Sequence, residues 1–165
     1  MRLLIVRHAP AGDKTAFART GRPDSTRPLT VKGRRKMEKA APGLRAAMPK
    51  IDLLASSPLA RALQTAEVVG AAYGLGYEVV PALAPGVHPR EALHWLQSRR
   101  EDTVAVVGHE PSLGGLITWL LTGKDGSLTT LKKGGACLLE FKGKPEAGKA
   151  TLLWSLAPAH LRRLR

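Results

Sequence analysis

LLIVRHAPAG, residues 3–12, is the stretch on which the reading of the chain turns. Four apolar residues end at Arg7 and His8, and Pro10 and Gly12 follow shortly after. An unbroken apolar run of this length fits a strand buried on both faces, so RLLIV (2–6) reads as a central strand of a parallel sheet. A guanidinium and an imidazole at its exit then stand where open α/β sheets bind ligands, outside the carboxyl ends of the strands. The Pro and Gly turn the chain away and leave that edge open.

The text downstream repeats the pattern. Residues 10–28 are rich in Gly, Pro, Ser, Thr and charge and read as a long loop. Thr30 caps a helix running to about residue 47, with Met37, Ala40, Ala41 and Leu44 on one face. IDLLASS (51–57) is the next strand, after which Ser57 is expected to cap a helix with Pro58 in its first turn, ending near Tyr73 ahead of Gly74. YEVV (77–80) is a short strand, and residues 89–98 are helical. TVAVVG (103–108) is wholly apolar apart from its first residue and rich in β-branched side chains; Pro111 then opens a helix to about Leu121. The Gly pair at 114–115 falls inside that helix and reads as a close-packing site. GGACLLEF and ATLLWSL form two late strands joined by a polar turn at 143–149. Strands alternating with helices imply a three-layer α/β/α fold with a mainly parallel central sheet. No linker interrupts it, so residues 1–165 read as a single domain.

Composition narrows the class. The chain is 44% hydrophobic and 24% charged, which suits a water-soluble core-forming protein. No apolar run is long enough to span a bilayer, and the first one is too short and too soon followed by charge to be a signal peptide. The expectation is a cytoplasmic protein with no membrane contact. The lone cysteine, Cys137, excludes an internal disulfide and reads as a buried, inert thiol. Lys plus Arg is 26 against 13 acids, a balance of +13 that favours anionic partners. The cations are spread over Lys32 to Lys39, Lys132 and Lys133, and Arg162 to Arg165, while only 4% of residues are aromatic. Single-stranded nucleic acid asks for stacking surfaces, so nucleic acid is disfavoured as a partner.

Reading each strand exit gives one list. The first strand leads to Arg7 and His8. The second leads to Ser56, Ser57 and Pro58, with Arg61 one turn into the helix. The strand at 103–108 leads to His109 and Glu110. Two arginines and two histidines on one edge make an anion pocket, since guanidinium forks match phosphate oxygens in pairs. A neutral imidazole, His8, can attack phosphorus and carry the phosphoryl group covalently. Arg7 and Arg61 would stabilise the charge spread over the equatorial oxygens. Without clustered carboxylates the two histidines lack a metal shell, so neither a metal nor a cofactor is expected. His94 and His160 read as structural or exposed.

LLIVRHAPA, SSPLARALQTAEVV and VVGHEPSL, in that order, resemble the histidine phosphatase superfamily, whose fold is that of phosphoglycerate mutase. Spacing and chain length most resemble its SixA-type phosphohistidine phosphatase branch, and the likeness runs from Arg2 to about Leu156. The resemblance implies that His8 is the phosphorylated histidine, that Arg7 and Arg61 bind phosphate, and that His109 donates to a phosphoryl oxygen. Leu29, Thr30 and Gly33 match an LTxxG motif that shapes the pocket rim. The family's usual RHG is here RHA, with Ala9 in third place, which the SixA-like branch tolerates. Relatives that hydrolyse esters carry an acid in a later loop; LAPGVHPREAL (83–93) offers no clear equivalent. A protonated imidazole leaves more readily than an alkoxide and needs less help. Glu110, Asp13, Asp24 and His88 remain unranked candidates for proton transfer.

The sequence thus reads as a metal-independent phosphatase acting through a phosphohistidine on His8, with a protein phosphohistidine as substrate. Two alternatives stand beside it. One is a phosphatase for a small phosphate ester such as a sugar or nucleotide phosphate. The other, of another class, is a non-catalytic phosphoanion or nucleic-acid binding module.

Overall fold

The computed structural model describes residues 1–164; Arg165, the end of the basic tail, lies outside the described residues. In chain order the elements are β1 (Arg2–Arg7), α1 (Lys14–Ala18), α2 (Val31–Ala47), β2 (Leu53–Ser56), α3 (Ala60–Tyr73), β3 (Glu78–Val79), α4 (Pro89–Gln97), β4 (Thr103–Gly108), α5 (Ser112–Thr122), β5 (Ala136–Glu140), β6 (Thr151–Leu156) and α6 (Pro158–Leu161). Short 3₁₀ turns at Asp24–Thr26 and Pro81–Leu83 complete the set.

The strands form a six-stranded sheet in the order β3-β2-β4-β1-β5-β6. The pairs β2·β3, β2·β4 and β1·β4 are parallel, whereas β1·β5 and β5·β6 are antiparallel. Side chains alternate between faces, so the central strands feed two cores. Leu4, Val6, Leu54, Ala105 and Val107 pack with Met37, Leu44 and Val69 of α2 and α3. Leu3, Ile5, Val104 and Val106 pack with Leu93, Leu96, Leu116 and Ile117 of α4 and α5. Each fully buried Leu or Ile of these cores contributes about 1.5–3 kcal/mol. The three-layer α/β/α arrangement follows.

The register aligns the ends of β1, β2 and β4. Arg7 lies opposite Gly108, and Ser56 opposite Val107. Arg7, His8, Ser57 and His109 therefore leave the sheet at one level. Backbone bonds continue the alignment past the strands: His8 N–H donates to Gly108 C=O at 3.0 Å, and Ser57 N–H to Val107 C=O at 2.9 Å.

Several local expectations change. The loop at 10–28 holds α1 and a 3₁₀ turn and is tied back by a bridge between Ala11 and Leu29. α1 is five residues long and buries none of them, so no apolar period marks it. The strand expected at 51–57 is shorter, and the one at 77–80 shrinks to two residues at the sheet edge. Ser57 does not cap a helix; α3 starts at Ala60 with Leu59 as its cap residue, so Arg61 is its second residue rather than one turn in. Thr30 does cap α2, accepting from Gly33 N–H at 2.9 Å. Gly33 is needed there: a Cβ would come within 1.9 Å of the Pro10 carbonyl oxygen, which also accepts from Thr30 N–H. Gly114 is likewise close-packed, with Ser127 Oγ and Thr129 O each 2.5 Å from a built Cβ, whereas Gly115 has ordinary contacts. Cys137 is buried at 1% exposure, and burial pushes its thiol up to about 12, which keeps it protonated. Among the described residues, no helix is long and apolar enough to cross a membrane.

Candidate active site

His8 is 6% exposed and His109 2%, and their ring centroids lie 5.0 Å apart at 50°. Each ring uses one nitrogen. His8 Nδ1 is 2.7 Å from the Ala9 carbonyl oxygen, a contact that requires Nδ1–H and leaves the lone pair on Nε2. His109 Nε2 is 2.7 Å from Ser57 Oγ, while its buried Nδ1 has no partner among the described residues. A Ser57 hydroxyl donating to Nε2 would place the proton on Nδ1, a donor with nothing of the protein to bond.

Both imidazoles are held neutral. Burial, helped by the charges of Arg61, Arg7 and Lys133, pushes His8 down to about 4. Burial, with the His8 ring and Arg61, takes His109 down to about 3. In the unfolded chain a histidine titrates near 6.5. Between these values the unfolded state binds more protons than the folded one, so stability falls as the pH drops from about 6.5 towards 4 and 3, and is unaffected by these groups above 6.5. Thermal melts of the protein and of a His109→Gln variant, taken from pH 8 to pH 4, check this. The variant's melting temperature should fall less steeply between about pH 6.5 and 4.

Arg61 is 5% exposed at the start of α3. Its Nη1 donates to the Asp24 carbonyl at 3.0 Å and its Nη2 pairs with the Asp24 carboxylate at 3.2 Å. Asp24 also binds Arg27 Nε at 2.8 Å. The hydrogen bond from Arg27, with the charges of Arg61 and Lys14, holds the Asp24 carboxyl below the usual carboxylate range, so it is ionised. Arg7 donates through Nη1 to the Leu131 carbonyl. The buried Nε atoms of Arg7 and of Arg61 have no acceptor among the described residues. Together with His109 Nδ1, three buried nitrogens of the expected pocket residues are thus without a partner among the described residues. Buried donors are rarely left so, and a tetrahedral oxyanion offers the acceptors they lack.

The SSPLARALQTA stretch builds the pocket through its polar residues. Ser57 holds His109; Gln64 Oε1 accepts from Leu29 N–H at 2.8 Å; Thr65 Oγ1 accepts from Ala9 N–H at 3.0 Å and donates to Arg61 C=O at 2.7 Å. One buried threonine therefore ties the turn after His8 to the helix carrying Arg61. Arg27, 8% exposed, donates to the Gly12 carbonyl and closes the 10–28 loop against Asp24.

The remaining candidates are engaged elsewhere. Glu110 accepts from Leu131 N–H at 2.7 Å through Oε1 and from Gly114 N–H at 3.0 Å through Oε2, so both oxygens brace the loop that Arg7 also grips. Asp13 caps α1, accepting from Ala16 N–H at 2.7 Å. His88 caps α4, stands 5.7 Å from the Trp119 ring and faces Asp125 at 3.5 Å. Among the described residues no group of three or more His, Cys, Asp or Glu could hold a metal ion.

The model of the histidine phosphatase superfamily (branch 1) matches residues 3–84, which carry the RHA, LTxxG and SSPLARALQTA stretches. The chain belongs to this superfamily. An uncharacterized protein of Picosynechococcus sp. is 34% identical over 139 residues, 82% of each chain. Across the whole fold the chain is similar to the protein histidine phosphatase SixA, solved in complex with tungstate, at TM-score 0.83 and 28% identity over 98% of this chain and 99% of that one. That likeness places it in the SixA-type branch of the histidine phosphatases. A phosphoserine phosphatase from Entamoeba histolytica, solved with 3-phosphoglyceric acid, shares the fold at TM-score 0.71 but only 16% identity, over 97% of this chain and 98% of that one. Neighbours in this histidine phosphatase fold thus include proteins named for phosphohistidine and proteins named for a phosphate ester.

Proposed function

We propose that this histidine phosphatase is a metal-independent, single-domain cytoplasmic enzyme that hydrolyses phosphohistidine on proteins. The observation that carries the reading is the His8 ring, fixed by its Nδ1 bond, neutral, and 5.0 Å from a His109 ring that carries an unpartnered nitrogen. In the first step His8 Nε2 attacks phosphorus, the P–N bond of the substrate breaks, and the released imidazole takes its proton from water. Arg7 and Arg61 hold the equatorial oxygens, and His109 Nδ1–H donates to one of them. In the second step water attacks the phosphoryl group on His8, the new P–N bond breaks, and phosphate leaves. The similarity to SixA, in which tungstate stands as a tetrahedral oxyanion, supports the same reading.

Phosphohistidine is favoured over esters by the state of the nearby carboxylates. Asp24 is ionised and committed to two arginines, and Glu110 is committed to two backbone donors. Neither is free to protonate an alkoxide, a service worth about 10²–10⁴ in rate. Turnover of a phosphohistidine peptide, measured with a chelator present, should exceed that of phosphoserine, sugar and nucleotide phosphates by at least about 100-fold in kcat/KM. Equal or faster turnover of an ester would replace this substrate with the ester; binding without turnover of any of them would leave only a phosphoanion-binding module.

A further inference from the structure

The chain leaving β1 also forms a wall of an open cleft of about 150 Å³ outside the pocket. Ala9 and Pro10, directly after His8, line it together with four cations: Lys36 of α2, Lys132 and Lys133 of the loop before β5, and Arg162 after α6. No acidic side chain lines it, and none of the four cations enters an ion pair among the described residues. The lysine pair is held against the β1 exit by Gly134, whose N–H is shared between the carbonyls of Arg7 and His8 at 3.1 Å each. The charge of Lys133 is felt at the His8 ring, so cleft and pocket are electrostatically continuous. Like charges gathered in a concavity repel one another, and the field they focus attracts an anion.

We propose that this cleft binds side-chain carboxylates of an acidic polypeptide segment flanking the phosphorylated residue, so that the substrate is an acidic phosphoprotein. The identity of the phosphorylated residue rests on the reading above; the cleft itself does not. The lining favours carboxylates: four cations and no acidic side chain surround the cleft. No aromatic side chain lines it to stack a base. Three of the four cations are exposed lysines on flexible stems, able to follow carboxylates in varied positions.

The test compares Lys36→Glu/Lys132→Glu with Lys144→Glu/Lys149→Glu, an equal charge change at exposed lysines of the turn between β5 and β6. Binding of an unphosphorylated glutamate-rich peptide is titrated first. The cleft variant should lose at least about tenfold in affinity and most of the salt dependence, while the control pair stays near the parent. Turnover is then measured with phosphohistidine peptides carrying glutamate or alanine flanks and with phosphoramidate. The cleft variant should raise KM for the glutamate-flanked peptide at least about tenfold and change phosphoramidate turnover far less. Equal losses in both variants, or a phosphoramidate loss as large as the peptide loss, would overturn the proposal. So would tighter binding of a single-stranded oligonucleotide than of the peptide, lost in the cleft variant. If no phosphohistidine peptide is turned over, the substrate reading fails, while the peptide titration still decides the cleft.

Discussion

Replacing His8 by alanine should lower turnover by at least about four orders of magnitude, because the nucleophile and the covalent route vanish together. The fold should persist. His8 contributes one ring bond, to Ala9 C=O, whereas its backbone is held independently through Gly108 and Gly134 and the next residue through Thr65. The variant should therefore unfold cooperatively and still bind tungstate or phosphate through Arg7, Arg61 and His109. Measurement of kcat, a thermal melt and an oxyanion titration on the same preparation would separate the outcomes. Residual activity within tenfold of the parent would show that another group attacks phosphorus.

Arg61→Ala should cost about 10²–10³ in kcat/KM or more, the range for removing one preorganised donor to a developing anion. This residue is expected to exceed a simple donor loss for a reason visible in the site. Arg61 and Arg27 both pair with the ionised Asp24. Deleting the Arg61 guanidinium leaves that carboxylate with Arg27 alone beside an incoming phosphoryl dianion, and the like charges repel. The double variant Arg61→Ala/Asp24→Asn should consequently recover part of the loss, by roughly three- to thirtyfold, which corresponds to about 0.7–2 kcal/mol. Steady-state kinetics of the parent, both singles and the double measure the coupling directly. A double variant no better than Arg61→Ala would mean that Asp24 does not face the substrate.

The part of the fold legible in sequence was the part governed by unbroken apolar runs. β1 and β4 are buried along almost their whole length, so their text carries no polar interruption and their exits are easily located. From those exits Arg7, His8 and His109 follow, and the motif around Arg61 completes the set. What escaped notice depends on contacts between distant segments. Ser57 followed by proline reads as a helix start, yet its hydroxyl answers His109, 52 residues away. Gln64 and Thr65 lie in a helix by any local reading; their use in tying down Leu29 and Ala9 appears only when β1, α2 and α3 are packed. Arg27 sits in a loop of mixed polar composition, and nothing local distinguishes it from a surface cation, although it is buried against Asp24 and Gly12. The four-residue α6 carries no sequence signal of its own. It is held by Leu161, fully buried, whose carbonyl oxygen lies where a Cβ on Gly43 of α2 would stand, a packing relation with no sequence period. Glu110 is one of four carboxylate or imidazole candidates that the sequence does not rank; in the structure its oxygens accept from Leu131 N–H, in the loop gripped by Arg7, and from Gly114 N–H of α5.

The most direct test of the account is to quench the enzyme during turnover of a phosphohistidine peptide, with chelator present, and to locate the phosphoryl group by mass spectrometry. A single acid-labile phosphoryl group on His8, formed and lost at rates that match turnover, is the predicted result. Turnover with no phosphorylated enzyme, or with the group on any other residue, would contradict it.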